Sequence, residues 1–340
     1  MGNVHGHQRL LKKFFGDSRS ATGSVDCLSP NFLGGDAVKV YDCFTFYNEF
    51  ELLELRLRAL WDVVDCFVLV EADKKHNGEL KPFHFRERQD DFRDFAAKLR
   101  PLSVKMNVPY GGTGDWSIEN AQRNAIVHGL KDAAPDDLIM ISDVDEIPAP
   151  DVFRRLRDNQ IVLLDPAVIP STLADKKILC PARLLVPAIK FLEVGAIVMD
   201  QKLFYYYFDW VSKAPWQGTI LTKRKNLSTP QVLRNRRYRL PRVTDGGWHF
   251  SYMGGADRVI DKMTSIVDGN EFVVKSDGKL LDRQHVEAAM SNGTDLYERK
   301  NAPETQFLPF DARQITLPHV EEFLRKYPNF LREPEKYFEG

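Results

Sequence analysis

The chain has 340 residues and a nearly balanced charge, with 47 basic against 48 acidic side chains. Hydrophobic residues make up 43% of it, which is ordinary for a globular protein and argues against wholesale disorder. The net charge of −1 argues against a general binder of polyanions. No window approaches eighteen consecutive apolar residues, so we expect no membrane-spanning helix.

The N-terminal basic residues and the cysteines bear on the compartment. No apolar stretch follows those basic residues, so we expect no secretory signal. The cysteines match neither a zinc motif nor a disulfide-dense scaffold, and they are Cys27, Cys43, Cys66 and Cys180. We therefore expect a cytoplasmic, reducing location.

Predicted elements follow one another in a regular order. Residues 1–36 lack a clear period, which predicts a poorly ordered N-terminal extension. Asn48 with Glu51 three residues later resembles a capping box ahead of a first helix. The other predicted elements are a strand at Val38–Phe46, a strand at Val63–Val70, a helix over 90–99, a strand near Ser103–Val108, a helix from Ser117 to about Lys131, and a short buried strand at Leu138–Ile141.

Strands that alternate with helices predict an α/β fold, with a mostly parallel central sheet and helices on both faces. Ligands bind such sheets beyond the carboxyl ends of the strands. We expect one domain over residues 37–335, following the extension of residues 1–36.

A carboxylate pair follows the last of these strands. Asp143 and Asp145 come directly after the apolar strand, and Pro148 ends the segment. In an extended chain, residues two apart point the same way, roughly 6.5–7 Å between their Cα atoms. Both carboxylates then address one cation, and oxygen ligands suit Mg²⁺ or Mn²⁺. The alternative is that these acids cap the next helix, although Asp151 is able to do so itself.

Five segments in order carry a family resemblance. They are Tyr41–Glu49 (YDCFTFYNE), Glu54–Leu57 (ELRL), Val64–Glu71 (VDCFVLVE), Ser142–Pro148 (SDVDEIP) and Gly246–Ser251 (GGWHFS). Over about residues 38–330 the chain resembles glycosyltransferase family 17, the β-1,4-mannosyl-glycoprotein 4-β-N-acetylglucosaminyltransferase family. The resemblance implies a GT-A-type fold, a UDP-sugar donor, a divalent metal and inversion at the anomeric carbon. It also implies a nucleotide-binding half, 37–150, and an acceptor half with C-terminal helices, 151–335.

The resemblance assigns roles at the donor edge. Asp143 and Asp145 would hold Mn²⁺ or Mg²⁺ against the diphosphate, with Asp145 as the direct ligand and Asp143 reaching the ribose or a metal-bound water. By similarity to GT-A enzymes, Asn48, Glu49 and Glu71 lie where uracil and ribose bind. Helix capping for Asn48 and a surface turn for Glu71 are the structural alternatives.

Three cationic or imidazole side chains are further candidates. Arg123 lies on the predicted helix before the carboxylates, and its forked guanidinium suits diphosphate and sugar hydroxyls. His249, between Trp248 and Phe250, is predicted to point away from those two aromatics and to complete the metal shell or bind phosphate. Lys262 is a candidate phosphate partner. A solvated helix face for Arg123 and a structural role for His249 are the alternatives.

An inverting transfer also needs a base that takes the proton of the acceptor hydroxyl. We assign Asp245 and Glu146 to this role, since they are the acids nearest the two motifs, while Glu193 and Asp209 remain open. The basic residues over 213–242 are a second open question. Either they close over the diphosphate or contact an anionic acceptor or membrane surface, or they form a solvated loop.

These observations predict a metal-dependent transferase that moves a sugar, N-acetylglucosamine by resemblance, from a UDP-sugar to a glycan acceptor. A glycoside hydrolase with a carboxylate pair is one alternative, because that chemistry needs neither metal nor nucleotide. A non-catalytic nucleotide- or sugar-binding protein on the same fold is another. A nucleic-acid partner is not expected, because the basic stretch is local and the net charge is slightly negative.

Overall fold

The computed structural model describes residues 38–158, 160–164, 185–299 and 305–338, so the predicted extension over 1–36 lies outside the described residues. The strands are β1 (Val40–Phe46), β2 (Cys66–Ala72), β3 (Leu99–Val104), β4 (Leu138–Asp143), β5 (Glu146–Pro148), β6 (Val162–Leu164), β7 (Leu185–Pro187), β8 (Ala196–Tyr205), β9 (Trp210–Ser212), β10 (Trp216–Lys223), β11 (Arg242–Ser251) and β12 (Phe307–Pro309).

The described helices fall mainly after β4. They are α1 (Phe50–Leu60), α2 (His84–Glu87), α3 (Ser117–Asn124), α4 (Asp151–Arg157), α5 (Ala188–Phe191), α6 (Pro230–Asn235), α7 (Ala256–Ser265), α8 (Val267–Lys275), α9 (Arg283–Asn292), α10 (Val320–Lys326) and α11 (Pro334–Phe338). Among the described residues, none of these helices has both the length and the apolar composition to cross a membrane.

The central sheet combines two kinds of pairing. Strand β1 lies between β2 and β4, β2 pairs with β3, and all three pairings are parallel. Beyond β4 the order continues through antiparallel β10 to β8, β9 and β12, while β11 pairs in parallel with β8 and antiparallel with β5. The predicted α/β class is confirmed, but the sheet is mixed rather than mostly parallel, because hairpin-like pairings dominate after β4.

Helices cover both faces of the parallel part, as predicted. On one face, Val68 of β2 packs against Ala125 and Ile126, which follow α3. At Gly129 an added Cβ would lie 2.3 Å from Cγ1 of Val68, so glycine allows this close approach. On the other face, α1 packs through Arg56, which binds Asp42 of β1.

The boundaries of several elements differ from the prediction. Residues 89–95 form a 3₁₀ helix and β3 begins at Leu99, so the helix predicted over 90–99 is wrong and the strand lies earlier than Ser103–Val108. Helix α3 ends at Asn124 and continues as a 3₁₀ helix over Ala125–Gly129. The capping box is wrong, because α1 begins at Phe50 without a side-chain cap.

An irregularity in β11 brings the second half of the chain to the end of β4. The register of β11 against β8 shifts between Val243 and Gly247. Gly247 has φ 142°, and an added Cβ would lie 2.3 Å from the carbonyl oxygen of Ile147. Only glycine permits this contact between β11 and β5. As a result, His249 pairs directly with Glu146.

Candidate functional site

A cavity of about 300 Å³ lies where β1 and β4 end. Both halves of the chain contribute to its wall, as the sheet topology predicts. Its lining includes Thr45, Tyr47, Glu49, Lys74, Lys75, His76, Lys81, Trp116, Glu119, Arg123, Asp143, Asp145, Glu146, Tyr205, Trp216, Arg234, Arg237, His249, Tyr252, Lys262, Asp268, Phe272, Tyr297 and Arg299.

The acidic turn of this cavity, Asp143–Glu146, joins β4 to β5. Strand β4 ends at Asp143, Val144 and Asp145 form a turn, and β5 begins at Glu146. The extended geometry predicted for Asp143 and Asp145 is therefore wrong. Because the chain reverses here, the two carboxylates have different partners.

Arg56 of α1 holds the backbone of the acidic turn from below. Its guanidinium is fully buried and binds Asp42 through two hydrogen bonds of 2.7 and 2.6 Å. It also donates to the carbonyl oxygens of Asp143, Val144 and Glu146, at 3.1, 3.2 and 2.8 Å. Three carbonyls that point toward one another need such a cation, since a buried acceptor without a partner is costly.

Two further arginines hold the carboxylates of Asp143 and Glu146. Arg123 of α3 donates to Oδ1 of Asp143 at 2.7 Å, and Arg234 of α6 donates to Oδ2 at 3.0 Å. Arg234 also binds both carboxylate oxygens of Glu146, and the indole N–H of Trp216 donates to Glu146 Oε1 at 2.6 Å. Arg123 and Arg234 are 3% exposed, so these charges are paired almost entirely within the protein.

Asp145 has a different environment. Lys262 of α7 donates to its Oδ2 at 2.7 Å, and Nε2 of His249 lies 3.5 Å from Oδ1. The other ring nitrogen of His249, Nδ1, is buried without a hydrogen-bond partner. The Lys262 side chain is 21% exposed, so this ammonium has a path to solvent that the two arginines lack.

Both aspartates are ionised at neutral pH. Burial by itself raises the pKa of each carboxyl, but neighbouring cations outweigh it. Arg123 and Arg234 hold the pKa of Asp143 well below its usual range. Lys262 and His249 do the same for the pKa of Asp145. Fixed negative charge therefore stands at the cavity floor.

Asp145 and His249 are the described side chains best suited to a metal ion. No three His, Cys, Asp or Glu side chains within the described ranges converge on one metal position. The unpartnered Nδ1 of His249 and the proximity of its Nε2 to Asp145 fit a site that water and a ligand's phosphate oxygens would complete. Both oxygens of Asp143 already accept hydrogen bonds from arginine.

The residues predicted to bind the nucleoside are only partly brought together. Glu49 lines the cavity, and its Oε2 accepts from the backbone N–H groups of Tyr47 and Asn48, both at 3.1 Å. The Asn48 amide donates to Asp261 at 3.3 Å and does not line the main cavity.

Glu71 is buried beside the cavity rather than in its lining. It is 1% exposed, and its carboxylate accepts from Lys81 and from the backbone N–H of Phe85. This pairing serves the local fold, and Lys81 is the member of the pair that lines the cavity.

The two residues assigned as base differ in location. Asp245 is exposed at the irregularity of β11 and does not line the cavity. Glu146 is in the lining but fully buried, and both of its oxygens accept from Arg234. Asp245 is therefore outside the cavity, and the Glu146 carboxylate is already bound by Arg234.

The basic stretch over 213–242 is not a single surface. Lys223 and Lys225 pair with Asp136 and Glu193, and Arg242 pairs with Asp200. Arg234 turns inward to the acidic turn. Arg237 lies over the ring of Trp216, with its guanidinium carbon 5.2 Å from the ring centroid.

Sequence reasoning did not identify Arg56 or Arg234 as part of the site. Arg56 belongs to a quoted segment, ELRL, and a charged residue in an otherwise apolar helix is a usable signal of burial. Arg234 gave no such signal, because it lies among six other basic residues from 223 to 239 and contacts Asp143 across 91 positions.

The composition of the cavity suits an anionic, sugar-bearing ligand. Eight lysine or arginine side chains line it against six acidic ones, which leaves a positive balance. Tyr205, Tyr252, Tyr297 and Phe272 add an aromatic wall, in which Phe272 stacks on Tyr297 with 4.7 Å between ring centroids. Aromatic faces pack well against sugar rings, which are apolar on one side.

Comparisons with known proteins find similarity over part of the chain. Curated proteins named β-1,4-mannosyl-glycoprotein 4-β-N-acetylglucosaminyltransferase, from Rattus norvegicus, Homo sapiens and Mus musculus, are each 34% identical over 128 residues. The match covers 35% of this chain and 24% of each relative, so it spans about a quarter of their length.

One solved structure, a mannosyltransferase of Pyrobaculum calidifontis in complex with GDP-Man and Mn²⁺, aligns with a TM-score of 0.33 and 14% identity. The alignment covers 74% of this chain and 70% of that one. The profile described as glycosyltransferase family 17 matches residues 33–163, which include β1 to β5 and the acidic turn. The part of the chain that holds the acidic turn is therefore similar to glycosyltransferase family 17.

Proposed function

We propose that this chain is a glycosyltransferase that moves a sugar from a nucleoside-diphosphate donor to a hydroxyl of a glycan. The observation that carries the proposal is the acidic turn at the cavity floor, held by three buried arginines in a segment that is similar to a glycosyltransferase family. The names of the curated relatives favour N-acetylglucosamine as the sugar. The family resemblance implies a uridine nucleotide as its carrier.

In this proposal the two sides of the cavity have separate tasks. Asp145 and His249 would hold Mn²⁺ or Mg²⁺, which supplies charge neutralisation to the departing diphosphate. Lys262 binds the same phosphates once it is released from Asp145, because its ammonium is able to pair with either anion. Asp143 stays with Arg123 and Arg234 and keeps the acidic turn in place.

The acceptor side is assigned to the aromatic wall. A sugar that rests on Phe272 or Tyr297 is held by packing and directed by hydrogen bonds from polar neighbours. Inversion at the anomeric carbon, which the family resemblance implies, is the stereochemical course that we propose.

The test is thermal unfolding with UDP, GDP or UDP-N-acetylglucosamine, each with Mn²⁺ and with EDTA, followed by a transfer assay over a glycan panel. A ligand that binds the native state raises the melting temperature by mass action. We expect a rise with uridine nucleotides and Mn²⁺ only, and a new glycosidic bond of inverted configuration in the product. No rise with any nucleotide, or hydrolysis of a glycoside without one, would contradict the proposal.

A further inference from the structure

The acidic side chains of the cavity differ in whether they have a partner. Six of them line it in the described part of the chain, and five accept hydrogen bonds or form ion pairs. Glu49 accepts from two backbone N–H groups, and Glu119 binds Arg123 at 2.9 Å. The three acids of the acidic turn bind Arg123, Arg234 and Lys262, as described above.

Asp268 is the sixth. Within the described ranges, its carboxylate has no hydrogen-bond or salt-bridge partner. It lies in the first turn of α8 and is exposed to solvent within the cavity. A carboxylate with free lone pairs is the one that is able to accept a proton from a bound ligand.

The position of Asp268 on α8 places it beside the aromatic wall. Phe272 is four residues later, so both side chains lie on one face of the helix, and both line the cavity. Phe272 stacks on Tyr297, and the guanidinium of Arg299 lies 5.3 Å from the ring centroid of Tyr297. The free carboxylate thus stands next to the surface that we assign to the acceptor sugar.

We propose that Asp268 is the general base that takes the proton of the acceptor hydroxyl. This inference rests on the proposed function and replaces Asp245 and Glu146 in that role. The acceptor oxygen forms a bond to the anomeric carbon while the bond from that carbon to the diphosphate oxygen breaks. The hydroxyl proton passes to the carboxylate of Asp268, and the nucleoside diphosphate leaves with the electron pair.

The charges around Asp268 suit this role. The wall removes part of its water, and the carboxylates of Glu119 on α3 and Glu271 on α8 add negative charge, so its pKa is raised above the usual aspartate value. Arg299 and Arg237 face it as well and oppose the rise. An acid that only stabilised the start of α8 would have its pKa lowered by the helix dipole, which is the opposite direction.

The main test replaces Asp268 by asparagine, which keeps the shape and removes the base. We expect Asp268→Asn to lower kcat by about 10²–10⁴-fold, the usual contribution of a general base. Its melting-temperature rise with UDP and Mn²⁺ should match that of the unaltered protein. Asp277→Asn is the matched control, because Asp277 is exposed, lies just after α8 and has φ 55°, which asparagine tolerates.

A second variant uses the pH dependence of kcat/KM. Glu271 pairs with exposed Lys275 and does not line the cavity, yet its charge raises the pKa of Asp268. Glu271→Gln should therefore move the acidic limb of the profile to lower pH and leave kcat at its optimum unchanged. An acidic limb that stays in place in Glu271→Gln would overturn the assignment.

The outcomes separate this inference from the proposed function. If the unaltered protein transfers sugar and Asp268→Asn retains kcat within about threefold, Asp268 is not the base and the proposed function stands. A parallel loss of nucleotide binding in Asp268→Asn would also overturn it, because a base for the acceptor has no part in donor binding. No nucleotide binding and no transfer by the unaltered protein would overturn both.

Discussion

Asp143 and Asp145, which are separated by one residue in the acidic turn, have different binding partners. The Asp143 side chain is 33% exposed, but the two arginines that bind it are each 3% exposed, and the Thr45 hydroxyl donates to its Oδ1 at 2.8 Å. The Asp145 side chain is itself only 5% exposed. Asp145 is paired with Lys262, whose side chain is 21% exposed, and has His249 with an unpartnered ring nitrogen beside it.

This difference separates support from chemistry. Buried ion pairs rarely add much net stability, but removal of one partner leaves an uncompensated charge. Asp143 is therefore part of the fold of the site. Asp145 has a partner that is free to move toward water or an anion, so it is the carboxylate that is able to exchange ligands.

The support of the backbone that carries both carboxylates is Arg56, and its loss should have the largest effect. Arg56→Met leaves Asp42 and three carbonyls without their donor, so we expect the free energy of unfolding to fall by about 3–5 kcal/mol in urea titrations. Arg58→Met is the control, since Arg58 is on the same helix in an exposed pair with Glu54 and should cost under about 1 kcal/mol. Similar losses in both variants would contradict the buried support.

The comparison itself is tested by asparagine at each position. Asp145→Asn should lower transfer by about 10²–10³-fold and remove the metal-dependent rise in melting temperature, because a lost electrostatic contact in the transition state costs about this much. Its unfolding free energy should fall by less than that of Asp143→Asn, because the released Lys262 reaches solvent while Arg123 and Arg234 stay buried.

Asp143→Asn should show the reverse emphasis. Arg123 and Arg234 would keep hydrogen bonds but lose a counter-charge that is itself 33% exposed, so we expect a stability loss of about 2 kcal/mol in the same urea titrations. Its melting temperature should still rise with Mn²⁺ and UDP. If Asp143→Asn kept its unfolding free energy and its melting temperature no longer rose with Mn²⁺, the division of roles between the two carboxylates would be wrong.

The comparison also shows what a sequence reveals about this site. Strand β1 is predictable from its β-branched and aromatic residues, and β2 and the start of β4 from their apolar runs, which suit strands covered on both faces. The place of Asp143 and Asp145 at a strand end followed from β4. Their opposite orientations did not, because the turn depends on Arg56 and on Gly247, from α1 and β11.

Other parts of the site have no local signal. The helix predicted over 90–99 fails because Phe92 and Phe95 share an aromatic cluster with Trp61 and Phe85, a tertiary arrangement that periodicity does not encode. Arg234, which binds both Asp143 and Glu146, comes from α6, about 90 residues later. The sequence gives no signal for Asp268, because only the structure reveals that the other acidic residues of the cavity already have partners.

A conservative substitution at Arg234 should reduce stability by less than the loss of a charge does. Arg234→Lys keeps the charge but not the fork that bridges Asp143 and Glu146, so we expect a loss of about 1–2 kcal/mol of unfolding free energy. Trp216 fluorescence should shift as well, because its indole N–H shares Glu146 with this arginine. Arg236→Lys, at an exposed neighbour, should change neither signal.

The smallest effect is expected at a surface ion pair whose geometry resembles the pairing of Asp143 with its two arginines. Arg100 binds Asp132 through two hydrogen bonds of 2.6 and 3.1 Å and lowers the pKa of that carboxyl to about 2. The folded pKa lies below the ordinary aspartate value of about 3.9, so the stabilisation is present above that pH and is lost as pH falls toward 2.

Because the Asp132 side chain is 53% exposed, water screens the pair, and we expect under about 1 kcal/mol from it. The test measures how far the unfolding free energy falls between pH 5 and pH 2.5. The fall in the unaltered protein should exceed the fall in Asp132→Asn by at most about 1 kcal/mol. A difference of several kcal/mol would mean that burial is not what distinguishes the pairing of Asp143 with Arg123 and Arg234 from an ordinary ion pair. A difference below about 1 kcal/mol, together with a larger loss in Asp143→Asn, would mean that the buried arginines make the pairing at the site the stronger one.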